Sequence, residues 1–80
     1  MKEIHLLYFA QISSLTQKSS ESVQTQAQNC EELYAELVQK YNLNLSPKQI
    51  RVAQNDELVP WNTVLVTGDT IAFIPPVSGG

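Results

Sequence analysis

The last six residues, Pro75-Pro76-Val77-Ser78-Gly79-Gly80, are the stretch best suited to presenting a reactive atom. Gly79 and Gly80 have no Cβ, so a diglycine can thread a narrow channel and bend inside it. Pro75 and Pro76 do the opposite: they fix φ and favour an extended approach, which restricts the direction in which the segment leaves the domain. Fully extended, residues 75–80 reach about 20 Å at ~3.3–3.6 Å per residue. The segment has no charged side chain. Its reactive group would be a main-chain carboxylate on Gly80, ionised at neutral pH with a reference pKa of roughly 3.3–3.7. A carboxylate is a poor electrophile, so acyl chemistry there needs activation. The chain has no phosphate-binding Gly-Lys loop of its own.

Few other residues offer chemistry. Cys30 is the single cysteine and His5 the single histidine. Neither a disulfide nor a metal pair can be built from them, and no metal site is expected. A helix N-terminus could lower the Cys30 thiol pKa, but the simpler reading is a small buried hydrophobe. His5 reads as a strand or interface residue. Glu31, Glu32 and Glu36 read as a solvated helix face. Arg51 is either a cation facing a partner's acid or a plain surface residue.

The elements that would hold the tail are legible in outline. Residues 2–10, KEIHLLYFA, form an apolar strand, with Ile4, Leu6 and Tyr8 on one face and His5, Leu7 and Phe9 on the other. Residues 11–22 read as a Ser-rich loop with one helical turn around Ile12–Leu15. Residues 22–28 could return antiparallel as a polar edge strand, with Val23, Thr25 and Ala27 inward. The clearest helix follows. Asn29 is its N-cap, Glu32 completes a capping-box-like pair, and Cys30, Leu33, Tyr34, Leu37, Val38 and Tyr41 make one apolar stripe. Pro47 forbids its continuation. A third strand over residues 48–54, an Asn-Asp-Glu turn, a short strand ended by Pro60, a connector over 61–70 and a final strand over 70–75 complete the chain.

This order predicts an α+β roll: a small mixed sheet with one main helix packed on one face, in a single domain spanning residues 1–80. The two most hydrophobic strands, the first and the last, should pair in parallel at the centre, as in a ubiquitin-like β-grasp. The helix can cover only one sheet face. Leu7, Phe9, Ile74 and Leu58 belong to the other, next to the root of the tail. Such a patch is either a protein interface, with Phe9 as its anchor, or a second small core under the connector, with Trp61 as its cover.

Bulk properties agree with a surface or tail function. A chain of 80 residues buries only roughly 60% of its unfolded surface, which leaves little room for a deep catalytic pocket. The net charge is −3 and the five cations form no run, which argues against nucleic acid as a partner. No apolar run approaches the ~20 residues of a membrane span, and the N-terminus lacks the pattern of a signal peptide. A cytoplasmic protein with no membrane partner is expected.

Residues 51–80 closely resemble the small subunit of molybdopterin synthase, the MoaD family of sulfur carriers. The resemblance rests on Ala53, Asn55 and Val59 in "AxNxxxV", on the Gly68-Asp69 turn, and on AFIPPVSGG; "LLYFA" is similar to the family's first strand. It spans nearly the whole chain, although residues 11–28 lack the Arg-Glu pair and the glycine that many members carry after "FA". The resemblance implies a ubiquitin-like fold and a defined tail chemistry. An E1-like adenylyltransferase uses ATP to convert Gly80 to an acyl-adenylate, and a sulfur donor displaces AMP to leave a thiocarboxylate. That sulfur is delivered to cyclic pyranopterin monophosphate in the large synthase subunit, forming molybdopterin for the molybdenum cofactor. Gly80 is then the reacting residue, Pro75, Pro76, Val77, Ser78 and Gly79 enter the partner, and Leu7, Phe9, Leu58 and Ile74 dock on it in an expected heterotetramer. The chain would be a non-autonomous subunit, and no cofactor is expected on it. A carrier for thiamine synthesis or tRNA thiolation, and a ubiquitin-like binding module without tail chemistry, are the alternatives.

Overall fold

A computed structural model describes residues 1–75. Five strands and two α-helices follow one another as β1 (Lys2–Tyr8), α1 (Ala10–Thr16), β2 (Ser20–Thr25), α2 (Cys30–Tyr41), β3 (Arg51–Gln54), β4 (Glu57–Val59) and β5 (Thr70–Ile74), with a 3-10 turn at Pro47–Gln49 before β3. The strands form one sheet in the order β2-β1-β5-β3-β4. β1 and β5 are parallel neighbours at its centre, and every other pair is antiparallel. This is the β-grasp arrangement, with β2 and β4 as the two edges. No helix among the described residues is long and apolar enough to cross a membrane.

The core lies between one face of the sheet and α2. Ile4, Leu6 and Tyr8 of β1, Val52 of β3 and Ile71 and Phe73 of β5 meet Cys30, Leu33, Tyr34 and Leu37 of α2, and all are buried. The period of two in the strands and the three-four spacing in the helix put these residues on facing surfaces. Asn29 caps α2 as expected, its Oδ1 accepting from the Glu32 N–H at 2.8 Å. The second half of a capping box is absent. The Glu32 carboxylate accepts instead from the Gln28 N–H at 2.9 Å, one residue upstream, while Asn29 bridges to Val64 of the connector. At the other end Asn42 takes a left-handed φ of 55° and closes the helix.

Three expectations are corrected. The Ser-rich segment contains a two-turn helix, α1, rather than one turn in a loop. Ile12 and Thr16 are one turn apart and both buried, and the Thr16 hydroxyl donates to the Ile12 carbonyl at 2.9 Å. Left-handed Ala10 and Gln17, at φ 50° and 60°, bracket it. Second, β1 ends at Tyr8, and Phe9 is the N-cap of α1. Third, β2 runs from Ser20 to Thr25 rather than over 22–28, and Ala27 is buried beyond its end.

Trp61 also differs from the reading in which it covers a second core. The connector is tied to the start of α2: the Cys30 N–H donates to the Thr63 carbonyl at 3.1 Å, Glu31 to Trp61 at 2.9 Å and Leu65 to Gln28 at 3.0 Å. These bonds hold Trp61 on the helix side of the sheet. Its ring stacks on Phe73 with centroids 5.9 Å apart and lies 5.4 Å from Tyr34. It seals the rim of the main core.

Candidate functional site

The outer face of the sheet is built by strand register. Leu7 on β1 pairs with Ala72 on β5, Ala72 with Ala53 on β3, and Ala53 with Leu58 on β4. Paired residues project to the same side, so one apolar row crosses four strands. The two alanines between the leucines are both buried. The next row toward the end of β5 pairs Ile74 with Arg51. Phe9, one residue past the Tyr8–Phe73 pair, comes level with them. In the opposite direction the face turns polar: His5 pairs with Ser22 and with Thr70, and its Nδ1 lies 2.7 Å from the Ser22 hydroxyl.

The outer face is therefore apolar at one end and polar at the other, and the apolar end is the one where β5 finishes. Leu58 is 61% exposed and Phe9 47% exposed, whereas Leu7 and Ile74 are half-buried. Both helices and the connector pack on the inner side, so among the described residues nothing covers this patch. The two sequence readings of the second face separate here, because the connector that would have made it a core lies elsewhere.

Pro75 follows directly from Ile74 and is buried. The expected tail residues Pro76, Val77, Ser78, Gly79 and Gly80 lie outside the described residues. At the same end of the sheet a groove of about 1010 Å³ opens beside Pro75, between the 3-10 turn, the β3–β4 edge and the start of α2. Trp61, Ile74 and Pro75 supply apolar wall, while Lys48, Arg51 and Glu31 bring charge.

The chain matches the model of the ThiS family over residues 6–80. The chain belongs to the ThiS family. Among relatives of this ThiS-family chain, the molybdopterin synthase sulfur carrier subunit of Haemophilus influenzae is 32% identical over 80 residues, covering 96% of this chain and 99% of that one. The subunit of the same name from Mycobacterium tuberculosis is 34% identical over 83 residues, covering all of both chains. A chain in the complex of subunits 1 and 2 of the molybdopterin-converting factor from Helicobacter pylori superposes with a TM-score of 0.69 at 30% identity, over 98% of this chain and 99% of that one. SAMP1 from Haloferax volcanii, at 21% identity and a TM-score of 0.78 over 98% and 99% of the two chains, shares the fold.

Two polar clusters of this ThiS-family chain serve its architecture. Asp69 is nearly buried in the turn before β5 and accepts from the Val66 N–H at 2.8 Å, from Gln54 at 2.8 Å and from Asn55 at 3.0 Å. Burial pushes its carboxyl up, but these three donors outweigh that and lower it. On the β2 edge of the sheet Glu21 accepts from Tyr41 at 2.6 Å, from Tyr8 and from Lys18 at 3.1 Å, with Lys40 at 3.8 Å. Burial raises this carboxyl too, yet the Tyr41 and Tyr8 hydroxyls and the Lys18 ammonium hold it at about 2.

The Glu21 cluster and the two alanines of the apolar row were not singled out from sequence as parts of a site. Only strand register shows that Ala72 faces Ala53. Cys30 is fully buried, and its thiol is raised by burial and by the nearby Asp69 charge. That suits a core residue and opposes a reactive thiolate.

Proposed function

We propose that this chain is the sulfur carrier subunit of a molybdopterin synthase. The observation that carries the reading is the placement of the apolar half of the outer sheet face, uncovered, at the end where the chain leaves β5 toward Gly79-Gly80. A carrier needs a dock beside the root of its arm, because the arm alone offers too little contact to hold a partner. The names of the two relatives and the two-subunit complex from Helicobacter pylori support the same reading.

In this reading an E1-like adenylyltransferase catalyses attack of the Gly80 carboxylate oxygen on the α-phosphate of ATP, releasing pyrophosphate. A sulfur donor then displaces AMP and leaves a thiocarboxylate. Leu7, Phe9, Leu58 and Ile74 dock on the large subunit in a heterotetramer. Residues 76–79 carry the sulfur into its pocket, with Pro75, buried in the domain, as their root rather than an inserted residue, and cyclic pyranopterin monophosphate receives it there. The chain itself binds no cofactor, and the complex works in the cytoplasm. The alternative is a carrier that serves thiamine synthesis or tRNA thiolation through the same Gly80 chemistry.

Intact-mass measurement tests the central step. Incubation with the E1-like enzyme, ATP and a sulfur source should raise the mass by the difference between sulfur and oxygen, and tandem fragmentation should place the change on Gly80. No gain with the activating enzyme of the same organism would remove the carrier function and leave a binding module.

A further inference from the structure

The five cations of this chain are unevenly employed. Lys2 donates to the Ala27 carbonyl at 3.2 Å, and Lys18 and Lys40 both engage Glu21, at 3.1 and 3.8 Å. That leaves Lys48 and Arg51, and among the described residues neither side chain has a hydrogen-bond or ion-pair partner. Both line the groove beside Pro75, and its lining holds one carboxylate, Glu31. In a chain of net charge −3, the two cations with no internal work converge on the point from which the tail departs.

We infer that Lys48 and Arg51 form a cationic rim that reads an acidic segment at the mouth of the partner's tail-accepting channel. The inference rests on the carrier reading above and adds to it what selects the partner. A protein that receives the tail must face this end of the sheet. Residues 76–80 offer it no charged side chain, and the row from Leu7 to Leu58 offers only apolar surface. Charge discrimination therefore falls to the groove, which continues the apolar face through Leu58 and Ile74, since both line it. An apolar dock gives contact area without much selectivity, whereas rim charges steer encounter and reject like-charged surfaces.

The test is stopped-flow association with the separately purified large synthase subunit of the same organism. The wild-type chain should associate fast at low salt and slow down as salt rises. The double variant Lys48→Glu/Arg51→Glu should associate about tenfold more slowly at low ionic strength, and the two rates should converge near ~1 M salt, where the Debye length is about 3 Å. Lys48→Gln/Arg51→Gln should fall between them, and thermal midpoints should stay level because both side chains are exposed. Equal low-salt rates for all three proteins would overturn the cationic rim and leave the carrier reading standing. So would a deficit of the Glu pair that persists undiminished at high salt, since that is a steric effect. Failure of the wild-type chain to bind would remove the docking face of the carrier reading, and the rim with it.

Discussion

Asn55 and Asp69 stand fourteen residues apart in sequence and are joined by a hydrogen bond of 3.0 Å from the Asn55 side-chain amide to the Asp69 carboxylate. Asn55 also binds the start of β5 twice more: its N–H donates to the Thr70 carbonyl at 2.8 Å, and its Oδ1 accepts from the Thr70 N–H at 2.9 Å. Two of the sequence features on which the resemblance to the MoaD family rests, the Asn of "AxNxxxV" and the Asp of the Gly-Asp turn, are thus one structural device. It locks the β3–β4 hairpin turn onto the loop that launches the central strand. Asn55 and Asp56 both have positive φ, at 52° and 73°, as the tight hairpin requires.

Removing the acceptor should be costly. Asp69→Ala leaves the Val66 N–H and two side-chain amides without their partner, and loss of stability of about 1–3 kcal/mol is expected. Urea denaturation followed by tryptophan fluorescence measures this. An unchanged midpoint would mean that water replaces the carboxylate at no cost.

Acid should loosen the edge of the sheet. The Glu21 carboxyl is held near 2, below its ordinary 4.5. A depressed carboxyl stabilises the fold above its unfolded value and loses that contribution as pH falls through the folded one. Thermal stability should therefore decline between about pH 4.5 and about pH 2. Tyr41→Phe removes one of the donors that lower the carboxyl, so it should be less stable at neutral pH and decline less steeply in acid. Midpoints recorded across the acid range decide this, and identical slopes for both proteins would show that Glu21 is not the group responsible.

Two phenylalanines should behave oppositely. Phe73 is fully buried between Tyr34 and Trp61, and Phe73→Ala should cost about 3–5 kcal/mol. Phe9 is about half exposed on the outer face, so Phe9→Arg should leave stability within about 0.5 kcal/mol while weakening association with the large subunit at least tenfold, about 1.4 kcal/mol. Circular dichroism and a binding isotherm on each variant separate the roles, and a melted Phe9→Arg protein would place that ring in the core.

Docking and chemistry should come apart at the tail. Deletion of Gly80 should abolish sulfur transfer yet keep affinity for the large subunit within a few-fold of wild type, because the proposed dock is the sheet face. Calorimetric titration of the truncated chain checks it, and loss of all binding would move the main contact from the sheet to the tail.

Sequence was most informative where a single periodicity governs. The α2 stripe from Cys30 to Leu37 and the Asn29 cap are local patterns, and the central pairing of β1 with β5 follows from their hydrophobicity. α1 escaped because its buried face is only Ile12 and Thr16, its N-cap is Phe9, and its first turn has no acidic residue. Trp61 escaped for a different reason. Backbone hydrogen bonds between the connector and the start of α2 decide which side of the sheet it covers, and no side chain announces them. The alternation of β1 did reveal that two sheet faces are apolar. It could not say whether the face of Leu7 and Phe9 stays open or is covered as a second core, since that depends on the path of residues 61–67.

The central place of β5 has a consequence for how the molecule comes into being. Without residues 70–74 the sheet is two separate hairpins, β2-β1 and β3-β4, each with an open inner edge. Both edges wait for a strand far along the chain, so assembly is dominated by distant partners and should be slow for so small a protein. A chain interrupted before Thr70 would bare the apolar edge of β1 and invite self-association. The strand that makes the domain a domain is also the one that residues 76–80 follow, so the proposed tail has a fixed root only once the sheet is complete.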